Sequence, residues 1–303
     1  MQQNRLDVLI NFIRNNSKYK KKFFDRYEID SRKINNNQVF LSIDNNETKN
    51  FNNIKNAIKN HASAVITSLP FSRKNQNTIV PFLVIKELKD IYYKIFLETI
   101  KKYKHKPKII GVTGTNGKTS TSLGLANALA NTKKKVGVIS SEGIGTYPKL
   151  VDNTYTTPTI DIIYESYEQF LKNKCHYIII ECSSQGLHQG RLKGISFDYS
   201  IITNIYSDHM DYHKTLKSYT NSKLLVLKQS KVSLLNYDSP ILKKIDCSKY
   251  KETKICYISL SSKYLDNLKK INIEIIRDKV KNFHITSLLF IYSIMKAEGF
   301  KDS

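Results

Sequence analysis

The sequence has few cysteines, no long apolar run and no leader-like start. Its four cysteines, Cys175, Cys182, Cys247 and Cys256, form no C-x-x-C pair, which argues against a zinc site and against disulfides. No apolar run approaches the roughly 18 residues of a membrane span. The opening MQQNRLDVLINFIRNN lacks a basic segment followed by an apolar one, so no signal peptide is expected. These absences predict a cytoplasmic protein without a membrane partner.

The charge is strongly one-sided, with 49 lysines and arginines against 26 acidic residues and a net charge of +23. Such an excess raises the possibility of nucleic-acid binding. The lysines, however, are scattered through nearly every segment, beside asparagine, isoleucine or tyrosine, as a general drift in composition would place them. We therefore expect a generic attraction to anionic partners but no specific nucleic-acid partner.

The 303 residues, of which 40% are hydrophobic, suffice for two globular domains. Residues 1–105 are expected to form a small N-terminal α/β domain, with a turn into a strand within 30–43, helices at 52–59 and 90–101, and strands at 64–66 and 82–85. The lysine-rich stretch KKYKHKPK (101–108), which contains Pro107, indicates a domain boundary.

From residue 108 onwards, strands alternate with helices. Strands are predicted at 108–113, 135–139, 177–181, 199–203, 232–236 and 254–258, and a final helix at 286–297. Several of these strands are nearly continuous β-branched runs, which are typical of parallel strands buried on both faces. Residues 106–303 are therefore expected to form a doubly wound, mostly parallel α/β domain, with ligands at the carboxyl ends of the strands.

The stretch GVTGTNGKTS (111–120) lies between a short apolar strand and a segment with helical spacing. A glycine-rich turn in that position directs backbone N–H groups and a helix N-terminus at phosphates. Val112 occupies the first glycine position of the generic pattern, so that pattern is not fully met. Lys118 is expected to reach the β- and γ-phosphates and Thr119 to bind Mg²⁺. The motif thus predicts nucleotide binding by a domain of the P-loop ATPase type, through Gly114, Thr115, Asn116, Gly117, Lys118, Thr119 and Ser120.

A second polar segment, IIIECSSQGLHQGR (178–191), begins where an isoleucine-rich strand ends. Glu181 at the strand end is placed to hold Mg²⁺ or to orient water, although an ordinary exposed glutamate at a strand end would give the same sequence pattern. The segment then supplies short polar groups and one guanidinium, which suit a substrate with hydroxyls and phosphates or carboxylates: Ser183, Ser184, Gln189 and Arg191.

Two further segments carry weaker signals. In TNIYSDHMDYH (203–213), Asp208 and His209 follow an apolar strand and are candidates for metal or nucleotide contact, although a lone histidine is more often structural. In TYTTP (154–158), the adjacent hydroxyls of Thr156 and Thr157 fit a solvated turn equally well. On the residues alone, Lys223 in SYTNSKLLVL reads as a solvated helix lysine.

Taken in order, TGTNGKT, TTP, ECSSQGLHQGR, TNIYSDHMDYH and SYTNSKLLVL resemble the ATP-dependent Mur ligases of peptidoglycan synthesis. Within that family, the order and spacing are most similar to the UDP-N-acetylmuramoyl-tripeptide synthetases. The resemblance runs from DSR at 30–32 to the terminal helix, which covers two of the family's three domains. The third, C-terminal ligase domain is expected to have no counterpart here.

The resemblance also implies roles for individual residues. It implies that Lys118 and Lys223 act in catalysis, with Lys223 carrying CO₂ as a carbamate, and that Mg²⁺ is bound by Thr119, Glu181, His209 and Lys223. It further implies that the UDP-muramoyl dipeptide is bound by Ser31, Thr156, Thr157, Ser183, Gln189 and Arg191.

The implied reaction joins diaminopimelate or lysine to UDP-N-acetylmuramoyl-L-alanyl-D-glutamate through an acyl phosphate, with a separate polypeptide as a possible source of the third domain. Three residues, Tyr155, His284 and Ser287, stand where the family has asparagine. They leave open a truncated, non-catalytic protein that binds ATP and the UDP-muramoyl peptide. A ligase of the folylpolyglutamate synthetase type is the other alternative, against which the DSR and SSQGLHQGR segments argue.

Overall fold

The computed structural model describes residues 26–28, 31–32, 34–36, 38–42, 47–69, 80–86, 88–153, 155–260 and 282–300. Its internal contacts divide the chain into two compact units, Met1–Lys104 and His105–Ser303. The division falls within the lysine-rich stretch that the sequence indicates as a boundary. Each unit has its own sheet and its own core.

The first unit is built on a four-stranded parallel sheet. Its strands are β1 (Arg26–Glu28), β2 (Gln38–Ser42), β3 (Ala64–Thr67) and β4 (Phe82–Val84), hydrogen-bonded in that order. Helix α1 (Glu47–Lys59) packs Ile54 and Ala57 against Phe40 and Val65 of the sheet. Helix α2 (Leu88–Lys101) follows β4. Apolar residues on successive strands and on one helix stripe thus form a small α/β core.

The second unit contains an eight-stranded sheet. Its strands in chain order are β5 (Lys108–Thr113), β6 (Val136–Ser140), β7 (Gly143–Thr146), β8 (Lys149–Val151), β9 (Tyr177–Glu181), β10 (Phe197–Ile202), β11 (Ser230–Asn236) and β12 (Lys254–Ile258). The spatial order is β12-β11-β10-β5-β9-β6-β7-β8. All strands from β12 to β6 pair in parallel, whereas β7 and β8 add an antiparallel edge.

Strand β5 lies at the centre and is flanked by the two strands that carry the other polar segments. Its Val112 pairs with Glu181 of β9, and its Thr113 pairs with Ile202 of β10. Because parallel strands end at the same edge, this register brings the residues after β5, β9 and β10 together.

Helices cover both faces of this sheet. Helix α3 (Lys118–Asn131) and helix α8 (Asn282–Ala297) pack on one face, where Leu125, Phe290 and Ile294 join the inward side chains of β5 and β9. Helix α4 (Ile160–Lys172) packs against β6 and β7, with Phe170 buried. Three shorter helices follow: α5 (Ser184–His188), α6 (Met210–His213) and α7 (Leu216–Leu224). The predicted mixed α/β fold with a mostly parallel central sheet is confirmed.

Some boundaries differ from the sequence expectation. Strands β5, β9 and β12 match the predicted ranges, but β10 and β11 each begin two residues earlier. Helices α1 and α8 begin at Glu47 and Asn282, before the predicted 52 and 286. The first turn of α1, ETKN, contains no apolar residue that would mark it as helical. Strands β7 and β8 were not predicted, since two glycines and Pro148 in GIGTYPKLV resemble a loop.

Within the described part of the chain, no helix combines the length and apolar character that crossing a bilayer requires. Asp30, Ile43 and Thr154 of the sequence motifs lie outside the described residues.

Candidate nucleotide and metal site

The phosphate loop, residues 113–119, joins the end of β5 to the start of α3. Gly114 has a φ of 151° and Gly117 a φ of 81°, values that residues with a side chain rarely adopt. A Cβ at Gly114 would lie 1.9 Å from the hydroxyl oxygen of Thr203. The close packing at Gly114 and the backbone of Gly117 therefore require glycine at both positions.

The segment after β10 holds the loop from the other side. Asn116 donates its backbone N–H to Asn204 Oδ1 over 2.9 Å, and its carbonyl accepts from Asn204 Nδ2 at 3.1 Å and from Thr203 Oγ1 at 2.6 Å. The backbone N–H of Thr115 donates to the Asn204 carbonyl at 2.9 Å. Thr203 and Asn204 thus fix the loop, a role that the sequence analysis did not assign to them.

Lys118 opens helix α3 and points back to the loop. Its Nζ donates to the carbonyl oxygens of Gly114 at 3.0 Å and Thr115 at 2.8 Å. Burial lowers the pKa of Lys118, and the negative charges of Glu181 and Asp208 partly offset this effect. The ammonium therefore lies at the loop where phosphate oxygens would replace the carbonyls as its partners.

Glu181 ends β9 and is fully buried, so the alternative of an ordinary exposed glutamate is wrong. Its Oε2 accepts from Thr119 Oγ1 at 3.2 Å, while Oε1 is buried without a hydrogen-bond partner among the described residues. Burial raises the pKa of this carboxyl to about 7, against the lowering effect of Lys118 and of the Thr119 hydroxyl. An unpartnered carboxylate oxygen beside a hydroxyl is a pair of hard ligands suited to Mg²⁺.

Lys223 lies in the last turn of α7 and is 1% exposed, so its interpretation as a solvated lysine is wrong. Its Nζ donates to the Gly114 carbonyl oxygen over 2.6 Å and lies 4.7 Å from the ring centroid of Tyr219. Burial lowers the pKa of Lys223 to about 7, and the positive charge of Lys118 contributes to the shift. A substantial fraction of this side chain is therefore a neutral amine near pH 7.

His209 is the most exposed of the four predicted metal ligands. It precedes α6 with a φ of 54°, and its Nε2 lies 3.7 Å from Asp208 Oδ2. Its ring lies 6.3 Å from that of Tyr219, whose hydroxyl is 3.0 Å from Thr115 Oγ1. Among the described residues, no group of three or more histidine, cysteine, aspartate or glutamate side chains is arranged to hold a metal ion. Only two of the four predicted metal ligands, Glu181 and His209, are of these types. The other two ligands would have to be Thr119 and Lys223.

The predicted substrate residues of the second unit form a hydrogen-bonded chain. The Thr157 hydroxyl donates to the Glu181 carbonyl at 2.7 Å and accepts the Ser183 N–H at 2.7 Å. Arg191 Nη1 donates to the Thr157 carbonyl at 2.5 Å, and its Nε donates to Gln189 Oε1 at 2.8 Å. These bonds bring the TTP and SSQGLHQGR segments together beside Glu181.

Ser183 also has a local contact, and the other predicted site residues differ in their exposure. Ser183 caps α5 by accepting the Gly186 N–H at 3.0 Å, Thr156 is half-buried, and Ser120 is exposed. Ser31 lies in the first unit, where its carbonyl accepts from Asn60 Nδ2 at 2.9 Å.

A cavity of about 650 Å³ opens beside the phosphate loop. One wall is formed by the start of α8, where Ser287 accepts a hydrogen bond from Thr121 at 2.9 Å. Most of the residues that line the cavity have polar side chains, although apolar atoms provide more of its lining surface than polar atoms do. Its lining residues are Asn116, Gly117, Thr203, Asn204, Tyr206, Asn236, Asp238, Leu260, Thr286 and Ser287.

Residues 112–294 match the Mur ligase middle domain family. The chain is 34% identical over 231 residues to the UDP-N-acetylmuramoyl-L-alanyl-D-glutamate–2,6-diaminopimelate ligase of Fusobacterium nucleatum, covering 73% of this chain and 45% of that protein. It is 30% identical over 269 residues to the enzyme of the same name from Clostridium tetani, covering 83% and 56%. The chain thus spans about half the length of these curated relatives.

A solved structure of a UDP-N-acetylmuramoyl-L-alanyl-D-glutamate–2,6-diaminopimelate ligase matches with a TM-score of 0.62 at 25% identity, covering 82% of this chain and 50% of the other. Crystal structure I of MurF from Acinetobacter baumannii matches with a TM-score of 0.51 at 14% identity, covering 80% and 50%, and shares the fold alone. The match to the middle domain and the identity to the curated ligases show that the chain belongs to the Mur ligase family.

Proposed function

We propose that this chain is the substrate- and ATP-binding part of a ligase that joins an amino acid to UDP-N-acetylmuramoyl-L-alanyl-D-glutamate. The observation that carries the proposal is the convergence of Lys118 and Lys223 on the Gly114 carbonyl, with Thr119 contacting Glu181 at the same strand ends. The names of the relatives supply the substrate class.

ATP is proposed to lie with its phosphates on the loop formed by Gly114, Thr115, Asn116, Gly117, Lys118, Thr119 and Ser120, and its nucleoside in the adjacent cavity. Backbone N–H groups at the start of α3 favour negative charge. Lys118 would exchange its two carbonyl partners for phosphate oxygens.

Thr119 and Glu181 fit Mg²⁺, because a hydroxyl and an unpartnered buried carboxylate oxygen lie side by side. His209 and a carbamate on Lys223 are proposed as the other ligands. Bound Mg²⁺ would neutralise the charge that develops between two anionic reactants. CO₂ adds to a neutral amine, and burial favours that form of Lys223.

The UDP-muramoyl dipeptide is proposed to contact Thr156, Thr157, Ser183, Gln189 and Arg191 of the second unit and Ser31 of the first. Residues 1–105 would then serve as the domain that binds the UDP end, and residues 106–303 as the ATP-binding domain. Arg191 can meet a carboxylate or phosphate with a planar pair of donors.

The proposed reaction begins when the terminal D-glutamyl carboxylate attacks the γ-phosphorus of ATP, which forms an acyl phosphate and releases ADP. The amine of diaminopimelate or lysine then attacks the acyl carbon, loses a proton and expels phosphate to leave an amide. Lys118 would hold the transferring phosphoryl group throughout. Since the relatives are about twice as long, the proposal includes a further segment of polypeptide, in the same or a separate chain, that completes the reaction.

Phosphate release tests this proposal. Purified protein is incubated with ATP, Mg²⁺, bicarbonate, UDP-muramoyl-L-alanyl-D-glutamate and either diaminopimelate or lysine. Release that requires both the dipeptide and one amino acid would support a ligase. Binding of ATP and the UDP-dipeptide by calorimetry without phosphate release would instead support a non-catalytic binding protein. Binding of a pteridine in place of the UDP-dipeptide would favour the folylpolyglutamate synthetase alternative.

A further inference from the structure

Tyr212 of α6 reaches across to the segment that carries the proposed substrate arginine. Its hydroxyl lies 3.0 Å from Gln189 Nε2 and 3.1 Å from His188 Nδ1. Because an amide nitrogen can only donate, the Tyr212 oxygen accepts from Gln189, and its own proton is available to His188. The Tyr212 hydroxyl thus joins α6 to His188, the last residue of α5, and to Gln189, which follows it.

Tyr212 thereby holds the Gln189 side chain in place, and the guanidinium of Arg191, which only donates, selects the end of the amide that faces it. With Nε2 held by Tyr212, Oε1 accepts the Arg191 Nε–H at 2.8 Å. The reversed amide would set an NH₂ group against the guanidinium, which has donors only. Arg191 Nη1 in turn donates to the Thr157 carbonyl at 2.5 Å, so two bonds fix the plane of the guanidinium.

The backbone that presents Tyr212 is itself held from both sides. The next residue, His213, is 4% exposed, and its Nε2 lies 2.9 Å from Ser184 Oγ at the start of α5. Its Nδ1 lies 3.4 Å from Ser222 Oγ in α7, and both serines are buried. Helix α6 is therefore fixed to the helices on either side, which leaves little freedom in where the Tyr212 hydroxyl lies.

We propose that Tyr212 is a positioning residue, which keeps Arg191 oriented towards the UDP-muramoyl dipeptide by holding the side chain of Gln189 in position against the guanidinium. The inference rests on the proposed function, which places Arg191 at that substrate. It predicts an effect on the affinity for this substrate and none on the affinity for ATP, because Tyr212 has no contact with the phosphate loop among the described interactions.

Tyr212→Phe removes the hydroxyl and keeps the ring. Calorimetry should show the Kd for UDP-muramoyl-L-alanyl-D-glutamate rising by about 5- to 20-fold, the effect of one hydrogen bond to a charged network. The Kd for ATP with Mg²⁺ should not change. Tyr147→Phe is the matched control. Tyr147 lies in the β7–β8 turn, and its hydroxyl is 3.4 Å from Asn127 Oδ1 of α3, so it should be dispensable for both ligands.

A double-mutant cycle separates positioning from a general structural role. In an Arg191→Ala background, Tyr212→Phe should weaken UDP-dipeptide binding by less than about twofold, because the group that it orients is gone. Equal losses in both backgrounds, a parallel loss of ATP affinity, or an unchanged Kd in Tyr212→Phe would each overturn the inference. A wild-type protein that binds ATP but not the UDP-dipeptide would overturn the proposed function, and this inference with it.

Discussion

Lys223 donates a hydrogen bond to the Gly114 carbonyl over 2.6 Å, across 109 positions of sequence. Lys118 donates to the same oxygen over 3.0 Å. The two lysine amino groups therefore share one acceptor in the phosphate loop, and removal of either lysine leaves the Gly114 carbonyl with a partner.

The shared acceptor leads to a prediction for Lys223→Met, which removes a buried charge and retains most of the side-chain volume. Stability should change by no more than about 1 kcal/mol, because Lys118 still satisfies the Gly114 carbonyl and methionine leaves no unpaired polar group at position 223. Phosphate release in the ligase assay should fall by at least about 100-fold if a carbamate at this position helps to bind metal. Urea unfolding and the phosphate assay measure the two effects.

Lys228→Met is the control for this change, because Lys228 is exposed in the turn that follows α7. It should leave both stability and phosphate release at wild-type values. Full activity in Lys223→Met would contradict the role proposed for that lysine.

Gly114→Ala should disrupt the phosphate loop. A Cβ would lie 1.9 Å from Thr203 Oγ1, and the φ of 151° is unfavourable for alanine. Strain and overpacking together should cost about 2–4 kcal/mol, with loss of detectable ATP binding. Thermal unfolding and calorimetry with ATP test this outcome.

Gly299→Ala provides the comparison for the clash. Gly299 also has a positive φ, 79°, but nothing lies within 4 Å of where its Cβ would be. Alanine there should cost about 1 kcal/mol and leave ATP affinity unchanged. Similar losses of ATP binding in the two variants would show that close packing against Thr203 is unimportant.

Thr157→Val should reveal how much of the substrate segment depends on one buried hydroxyl. The change leaves the Glu181 carbonyl and the Ser183 N–H without their partner, which should destabilise the protein by about 2–4 kcal/mol. Thr157→Ser keeps the hydroxyl and should lose less than half as much. Chemical denaturation of both variants measures the two losses, and equal losses would show that the methyl group contributes as much as the hydroxyl.

Glu298 makes the stability of the second unit dependent on pH. Burial raises the pKa of its carboxyl, but hydrogen bonds from Lys108, Tyr199 and Tyr177 outweigh that effect and hold the pKa below the ordinary 4.5. A carboxyl whose pKa is depressed in the folded state stabilises the fold above its unfolded pKa, and this contribution is lost as pH falls through the folded value. Stability should therefore decline below about pH 4.5.

Glu298→Gln isolates the charge, since the amide can still meet the Lys108 ammonium and the two tyrosine hydroxyls. At pH 7 the variant should be less stable by about 1–2 kcal/mol, and the difference should shrink as pH falls towards 3. Urea unfolding at several pH values gives both curves. Glu252→Gln, at an exposed position, should follow the wild type throughout, and a constant deficit in Glu298→Gln would contradict the assignment.

The sequence predicts this fold well where the signal is local. The strands β5 and β9 are short β-branched runs, and their bounds agree with the structure at 108–113 and 177–181. The glycine-rich turn between a strand and a helix is equally local. Strands β7 and β8 depend instead on pairing with β6, which no pattern within GIGTYPKLV expresses.

Contacts between residues far apart in the sequence explain why the burial of some side chains could not be predicted from local patterns. The burial of Lys223 arises because α7 packs under the phosphate loop, and an isolated helix carries no sign of that neighbour. The same holds for Tyr212 and His213, whose partners lie in α5 and α7. The resemblance to a family drew attention to Lys223, but not to these two.

The pairing of Val112 with Glu181 limits where the chain can tolerate inserted residues. Strand β9 is apolar on both faces, so its isoleucines alone do not distinguish one register from the next. A shift by one residue would turn the Glu181 side chain to the opposite face, away from Thr119. One inserted residue within β9 would thus remove the carboxylate from the site although no residue had been lost, whereas insertions in the surface loops would leave it in place.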